Sequence, residues 1–199
     1  MSHLMDEIAS QPECWAKAIE LAASAGGALP APGERAAVIG CGSSLNVARC
    51  YAALREAAGQ GETDAFPASE VSSARRYDRM VFVSRTGTTT EVLDALRRAP
   101  AGIRTTAIAA DPGSPLIQEA GAVVLLDFSA ERSVVSSRFI TSTLRSAEKS
   151  RRTTAPASCR SGEPGSAAIA VVRTPAGVRR RASSTSVVVP VRDTNTMRS

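Results

Sequence analysis

Residues 36–46 read AAVIGCGSSLN, and residues 80–91 read MVFVSRTGTTTE. Each segment runs from a short apolar stretch rich in β-branched residues, through a burst of Gly, Ser and Thr, into a helix-like pattern. That order is strand, tight polar turn, helix N-terminus. The first amides of a helix have no partner within it, and a Gly/Ser/Thr turn adds hydroxyl donors without bulk, so a phosphate fits there. In an open parallel sheet the loops leaving the C-terminal ends of neighbouring strands converge on one crevice, so both turns can hold a single phosphorylated ligand.

Outward from these two segments the chain alternates in the same manner. Upstream, a helix is expected from about Gln11 to Ala25, with Pro12 tolerated in its first turn and Gly26 and Gly27 ending it. Strand Ala36–Gly40 leads to a helix over Ser44–Ala58, which places Leu45, Ala48, Tyr51 or Ala52 and Leu54 or Arg55 near one face. A short strand at Glu62–Ala68 follows, and Ser69–Tyr77 is compatible with a helix capped by Ser69. Strand Arg79–Ser84 feeds a helix at Thr89–Ala99, closed by Pro100. Strand Arg104–Ala109, the turn DPGSP, a helix at Pro115–Ala120 and a strand at Ala122–Leu126 complete the series. Strands alternating with helices through short turns predict an α/β fold with a parallel sheet wrapped on both faces.

With 199 residues, 43% of them hydrophobic, the chain can build one packed core. No segment approaches a membrane span, and the opening MSHLMDEIASQPECW lacks the basic-then-apolar order of a secretory signal, so the expected location is cytoplasmic, with no membrane partner. Cys14, Cys41, Cys50 and Cys159 are widely spread, and His3 is the single histidine, so the cysteines read as reduced and unpaired and no metal site is expected. Cys41, beside a helix N-terminus, is the one whose environment could lower its thiol pKa, but a small packing residue is the favoured reading.

The formal charge of +5 is unevenly placed. Residues 1–144 carry 13 Lys and Arg against 16 Asp and Glu, a net of −3, whereas residues 145–199 carry 11 against 3, a net of +8. Beyond Leu144 there is no Leu, Phe, Tyr or Trp, so this stretch can bury little apolar area against its chain entropy and is expected to be disordered. Charge without interleaved aromatics supports only salt-sensitive attraction to nucleic acid, and no specific nucleic-acid partner is expected.

GCGSS does not complete a dinucleotide fingerprint, because Leu45 stands where the third Gly of GxGxxG would be, and no GK[ST] follows to make a P-loop. Alone it reads as well as a tight strand-to-helix turn with Ser44 as cap. The second turn is more telling, since five of the eight residues 84–91 carry hydroxyls. Thr88 or Thr89 with Glu91 makes a partial capping box, but capping accounts for one hydroxyl and leaves the others for a ligand. Arg85 either adds charge near a phosphate or is a solvated surface residue.

Taken together, Cys41-Gly42-Ser43-Ser44, the Ser84 to Thr89 segment and Ala130-Glu131-Arg132-Ser133-Val134-Val135-Ser136-Ser137 resemble, in order and spacing, the sugar isomerase (SIS) domain, as in the isomerase half of glucosamine-6-phosphate synthase. Glu7-Ile8-Ala9-Ser10-Gln11-Pro12 also resembles the opening of that group, and the stretch at Glu131 looks closest to the ketose/aldose isomerase and sugar-phosphate deaminase or deglycase branch. The resemblance implies a flavodoxin-like three-layer α/β/α sandwich that binds a phosphorylated sugar or amino sugar and needs no cofactor. Carried over by position, it implies a site of Cys41, Gly42, Ser43, Ser44, Ser84, Thr86, Gly87, Thr88 and Thr89, with Val134 and Ser136 lining the sugar. Arg85 departs from the neutral residue, often Gln, that is frequent there.

The resemblance covers about residues 7–144 and implies three regions: a helical lead-in over 1–34, the phosphosugar-binding domain over 35–144 and a basic tail over 145–199. Proteins of that branch carry two such domains and typically pair as homodimers, and their proton-transfer base resembles a Glu of the second domain. The chain is therefore expected to be a first half, truncated where a coding frame lost near Leu144 in GC-rich DNA would give the Arg/Ala/Ser/Pro-rich tail; a natural basic tail is the alternative. Glu131 is the acid near the motifs to test as a substitute base. The parent activity implied is isomerisation or deamination of a sugar phosphate by proton abstraction next to a carbonyl. A non-catalytic domain that senses a sugar phosphate is the competing class.

Overall fold

The apolar runs form five strands in the computed structural model, which describes residues 3–25, 27–71, 75–127 and 138–143. They are β1 (Ala36–Gly40), β2 (Thr63–Pro67), β3 (Arg79–Val83), β4 (Arg104–Ala109) and β5 (Ala122–Leu125). Every pairing is parallel and the strand order is β2-β1-β3-β4-β5. All five residues of β1 and of β3 are buried, which is why these strands read as continuous apolar runs rather than alternating ones.

The inward side chains divide cleanly between two cores. Val38 of β1, Val81 and Val83 of β3 and Ile108 of β4 pack with Cys14, Ala18 and Leu21 of α2 (Gln11–Ser24), Ala48 and Tyr51 of α3 (Ser43–Ala57), and Phe139 from the helical residues 138–143. On the other face Ile39, Met80, Phe82 and Ala107 pack with Val92, Leu93 and Leu96 of α4 (Thr90–Arg97) and Leu116 of α5 (Pro115–Glu119). Alternate strand residues therefore serve opposite layers, and the arrangement is the three-layer α/β/α sandwich expected.

Several local expectations need correction. A seven-residue helix α1 (His3–Ala9) precedes α2; its exposed Met5 and Ile8 break the apolar periodicity that would have announced it. Between β2 and β3 the described residues hold only a 3₁₀ turn, Ala68–Glu70, in place of a helix over 69–77, and residues 75–78 are not helical. The buried face of α3 is Ser44, Val47, Ala48, Tyr51, Ala52 and Arg55, so Leu45 lies to one side of it. The tail from residue 145, Glu131, Val134 and Ser136 all lie outside the described residues.

Arg55 reaches the interior because both terminal nitrogens of its guanidinium meet acceptors, Gly61 carbonyl at 3.2 Å, Thr63 Oγ1 at 2.7 Å and Ala31 carbonyl at 2.6 Å, while its Nε is buried without one. Arg79, also buried, donates to Glu34 Oε2 at 3.3 Å, to Ala28 carbonyl at 3.0 Å and to Thr106 Oγ1 at 3.2 Å. Arg104 closes the group on the other oxygen of Glu34. Burial pushes the Glu34 carboxyl up, but the Ala31 amide and the two arginines outweigh it and hold the group below its ordinary range. These contacts fasten the segment before β1 beneath the N-terminal ends of β2, β3 and β4, leaving the opposite end of the sheet to the hydroxyl-rich turns.

Candidate phosphate-holding site

In the order β2-β1-β3-β4-β5 the chain reverses direction across the sheet between β1 and β3. At such a switch point the two outgoing loops part and leave a crevice at the C-terminal ends of the strands. Gly40 and Val83 are register partners, so the turns that begin at Cys41 and Ser84 start side by side. Both hydroxyl-rich turns therefore flank the one place where this topology opens.

The first turn is tight. Cys41 is half-buried, Gly42 and Ser43 are exposed, and Ser44 is buried. The Ser44 amide donates to Cys41 carbonyl at 3.0 Å and the Leu45 amide to Gly42 carbonyl at 3.1 Å. Gly42, not Ser44, is the helix-capping residue, and no side chain caps α3, so the capping role expected of Ser44 is not the one it plays. A Cβ on Gly40 would lie 2.8 Å from the backbone carbon of Ser44, so glycine at the strand end is what lets α3 begin so close to β1.

The second turn is closed by its own hydroxyls. Ser84 is buried; its Oγ lies 3.0 Å from Thr89 Oγ1 and accepts from the Gly87 amide at 3.2 Å. The Thr88 hydroxyl donates to Thr86 Oγ1 at 2.9 Å, and both residues are exposed. A hydroxyl has one proton to give and two lone pairs. Within each pair one hydroxyl spends its proton on the other, and the recipient keeps its own O–H for something outside the turn. Thr89 is the capping residue of α4 but makes no side-chain cap, and Glu91 is exposed, so the capping box expected from the sequence is not formed. Thr89 is engaged with Ser84 instead.

A second loop fixes this turn from below. The Ala110 amide donates to Arg85 carbonyl at 2.9 Å and the Leu116 amide to Gly87 carbonyl at 3.2 Å. Gly87 has φ +64°, and a Cβ there would lie 2.2 Å from Ser114 Oγ. Ser114, buried and held by its hydroxyl on Asp111 carbonyl at 2.8 Å, was not legible as part of the site; the turn DPGSP announced a turn, but only the β3–β4 pairing shows that it abuts Gly87. The described candidates Cys41, Gly42, Ser43, Ser44, Ser84, Thr86, Gly87, Thr88 and Thr89 thus fall on two adjacent turns.

No family model and no curated protein matches the chain. Solved structures do match it. The C-terminal domain of glucosamine-fructose-6-phosphate aminotransferase from Francisella tularensis superposes with a TM-score of 0.63 at 21% identity, over 75% of this chain and 46% of that one. Glucosamine-6-phosphate deaminase from Thermotoga maritima gives a TM-score of 0.61 at 26% identity, over 76% and 49%. The Escherichia coli CFT073 protein c3406, solved in complex with a sugar phosphate, gives 0.57 at 18% identity, over 78% and 90%. The fold is that of the sugar isomerase domains, and the resemblance read from the sequence is borne out by these structures. The chain spans about half the length of the first two structures it matches.

Proposed function

We propose that residues 35–144 are a phosphosugar-binding domain, derived from an aldose/ketose-phosphate isomerase or an amino-sugar-phosphate deaminase. The observation that carries this reading is the placement of two hydroxyl-rich turns on either side of the β1/β3 switch point, at adjacent strand ends. Ser84, Thr86 and Thr89 supply hydroxyls to the phosphate, and Ser43 and Ser44 lie toward the sugar and phosphate on the other side. The structural neighbour solved with a sugar phosphate supports the same ligand class.

Binding and catalysis separate at this site. Moving a proton next to a carbonyl needs a base within hydrogen-bond reach of it. Residues 41–46 and 84–90 contain no carboxylate. The family resemblance puts the base elsewhere: at Glu131, or in a second domain of the kind the longer neighbours have room for. Held without that base, a sugar phosphate is bound but its reaction barrier is left largely in place. The chain is accordingly a binding half of an isomerase or deaminase, and a domain of this kind that only senses its ligand is the second reading, favoured by the same lack of a carboxylate in the turns.

Calorimetric titration with glucosamine-6-phosphate and fructose-6-phosphate, run beside isomerase and deaminase assays, tests this on the chain and on Ser84→Ala/Thr86→Ala. Binding that disappears in the double variant is the expected result. Absence of binding by the unaltered chain overturns the phosphosugar reading, and turnover of order 10 per second would overturn the reading of a half without its base.

A further inference from the structure

We propose that Arg85 is the counter-charge of this site, pairing with the ligand's phosphate as a dianion and thereby selecting phosphomonoesters over singly charged esters. This rests on the phosphosugar reading above and goes beyond it by assigning the charge of the ligand.

Five described arginines are not fully exposed: Arg35, Arg55, Arg79, Arg85 and Arg138. Arg35 pairs with Glu62 at 2.9 Å, Arg55 with Thr63 and two carbonyls, Arg79 with Glu34, and Arg138 with Ser10 Oγ at 2.7 Å. Arg85 alone among them has no side-chain hydrogen bond or ion pair. A half-buried arginine whose guanidinium the fold leaves without an internal acceptor is available to pair with an anionic ligand.

Its position is fixed rather than incidental. The Ser84 amide donates to Ile108 carbonyl at 3.1 Å and the Ala110 amide donates to the Arg85 carbonyl at 2.9 Å, so two backbone bonds tie the bend that follows β3 to the end of β4 at this residue. Arg85 therefore stands on rigid backbone, one residue after Ser84 and one before Thr86. It is also the sole charged residue in segments 41–46 and 84–90. Hydroxyls and amides are neutral donors, whereas a guanidinium adds full charge and a two-pronged donor geometry matched to phosphate oxygens. The second ionisation of a phosphomonoester falls near pH 6, so Arg85 makes affinity rise as that proton leaves. The other titratable groups on the adjoining turns and helices are Cys41 of the first turn, Arg49, Cys50, Tyr51, Arg55 and Glu56 of α3, Glu91, Asp94 and Arg97 of α4, Asp111, whose Oδ1 accepts from the Gly113 amide, Glu119 of α5 and Asp127 after β5.

The experiment is titration of the full chain, Arg85→Gln and Arg85→Lys with fructose-6-phosphate at pH 5 and pH 7.5, with inorganic sulfate, dianionic throughout, as the control for protein titration. At pH 7.5 Arg85→Gln should bind roughly ten- to a hundred-fold more weakly, as for loss of one charge-assisted hydrogen bond, and should lose most of the gain between the two pH values. Arg85→Lys should retain part of both, and sulfate affinity should fall in Arg85→Gln without depending on pH. The thermal midpoint of ligand-free Arg85→Gln should match or exceed that of the unaltered chain, since no internal partner is lost. If Arg85→Gln binds fructose-6-phosphate as the unaltered chain does, with the same pH response, the proposal falls and the phosphosugar reading stands. If the unaltered chain binds at neither pH, both fall.

Discussion

At the N-terminal ends of the strands, Arg55, Arg79 and Glu34 are buried or nearly so, and each is paired with acceptors or donors supplied by the protein itself. At the C-terminal ends of β1 and β3 the polar groups are uncharged apart from Arg85, small, and paired only in part, with one hydroxyl proton of each pair left over. The first end is closed: its charges answer one another, and removing a member strands the rest in a poorly hydrated place. The second end is built but incomplete, rigid in backbone and short of acceptors. A domain can carry a binding site without sacrificing its fold when stability and ligand recognition are segregated in this way, and mutations at the two ends should separate the two properties.

The largest effect is expected at the closed end. Arg79→Leu removes one of the two arginines on half-buried Glu34 and the charged donor to the buried Ala28 carbonyl and Thr106 hydroxyl, leaving Arg104 on Glu34 and the Thr106–Ala28 bond in place. Losing the hydrogen bonds of a buried charged donor costs about 1.5 to 3 kcal/mol, which chemical denaturation of the variant would measure. Fructose-6-phosphate affinity of the folded fraction should be unchanged. A variant that unfolds no more readily than the unaltered chain would show that this network is not what fastens the lead-in.

Acid sharpens the same contrast. The Glu34 carboxyl titrates below its ordinary value of 4.5 in the folded chain: burial raises it, and the Ala31 amide, Arg79 and Arg104 lower it by more. Below pH 4.5 the unfolded chain therefore binds the proton that the folded one resists. The stability Glu34 contributes is present above that value and is lost as pH falls through the folded one. Denaturation midpoints of Glu34→Gln should be lower at neutral pH and should fall less steeply between about pH 5 and pH 3 than those of the unaltered chain. Parallel pH profiles for the two proteins would contradict the assignment.

At the open end the order of effects inverts. Ser84→Ala removes the acceptor of the Gly87 amide and the partner of Thr89, a loss of about 1 kcal/mol in stability for a hydrogen-bonded hydroxyl. Binding should suffer more, by roughly ten-fold or beyond, because the turn loses both a donor and the contact that joins its two ends. Calorimetry and denaturation on the same preparation would compare them directly.

What could be read from the sequence follows the range of the interaction that decides it. β1 and β4 fall at the bounds read from the sequence: β1 is an unbroken buried apolar run, and β4 passes from exposed Arg104 to buried Thr106–Ala109 between polar turns. The two turns were legible for a similarly local reason: hydroxyl density beyond what a cap requires. Arg55 was legible only as one of two candidates for the inner face of its helix, because the acceptors that make it tolerable, Ala31, Gly61 and Thr63, come from other segments. The Gly87–Ser114 contact depends on β4 lying beside β3, which a one-dimensional pattern does not contain. The capping roles expected of Ser44 and Thr89 fail because a hydroxyl suited to capping is equally suited to bonding another hydroxyl across a turn, and the fold chose the second for Thr89. Glu131, Val134 and Ser136 stay proposals of the family resemblance.

The smallest effect should come from Thr88, and its smallness carries information. Thr88 is exposed and donates its hydroxyl proton to Thr86 at 2.9 Å. Thr88→Ala takes away that proton but leaves Thr86 its own O–H, which is the one available to a ligand. Stability should stay within about 0.5 kcal/mol, as for an ordinary surface change, and fructose-6-phosphate affinity should fall by no more than roughly three-fold. Ser84 differs by being buried and by joining both ends of the turn, so its removal alters the geometry in which every other donor is presented. Equal losses in Thr88→Ala and Ser84→Ala would mean that the hydroxyls act as independent contacts, each worth the same wherever it sits. A gap of roughly ten-fold between them would mean that closure of the turn by Ser84 and Thr89 is what gives the open end its order.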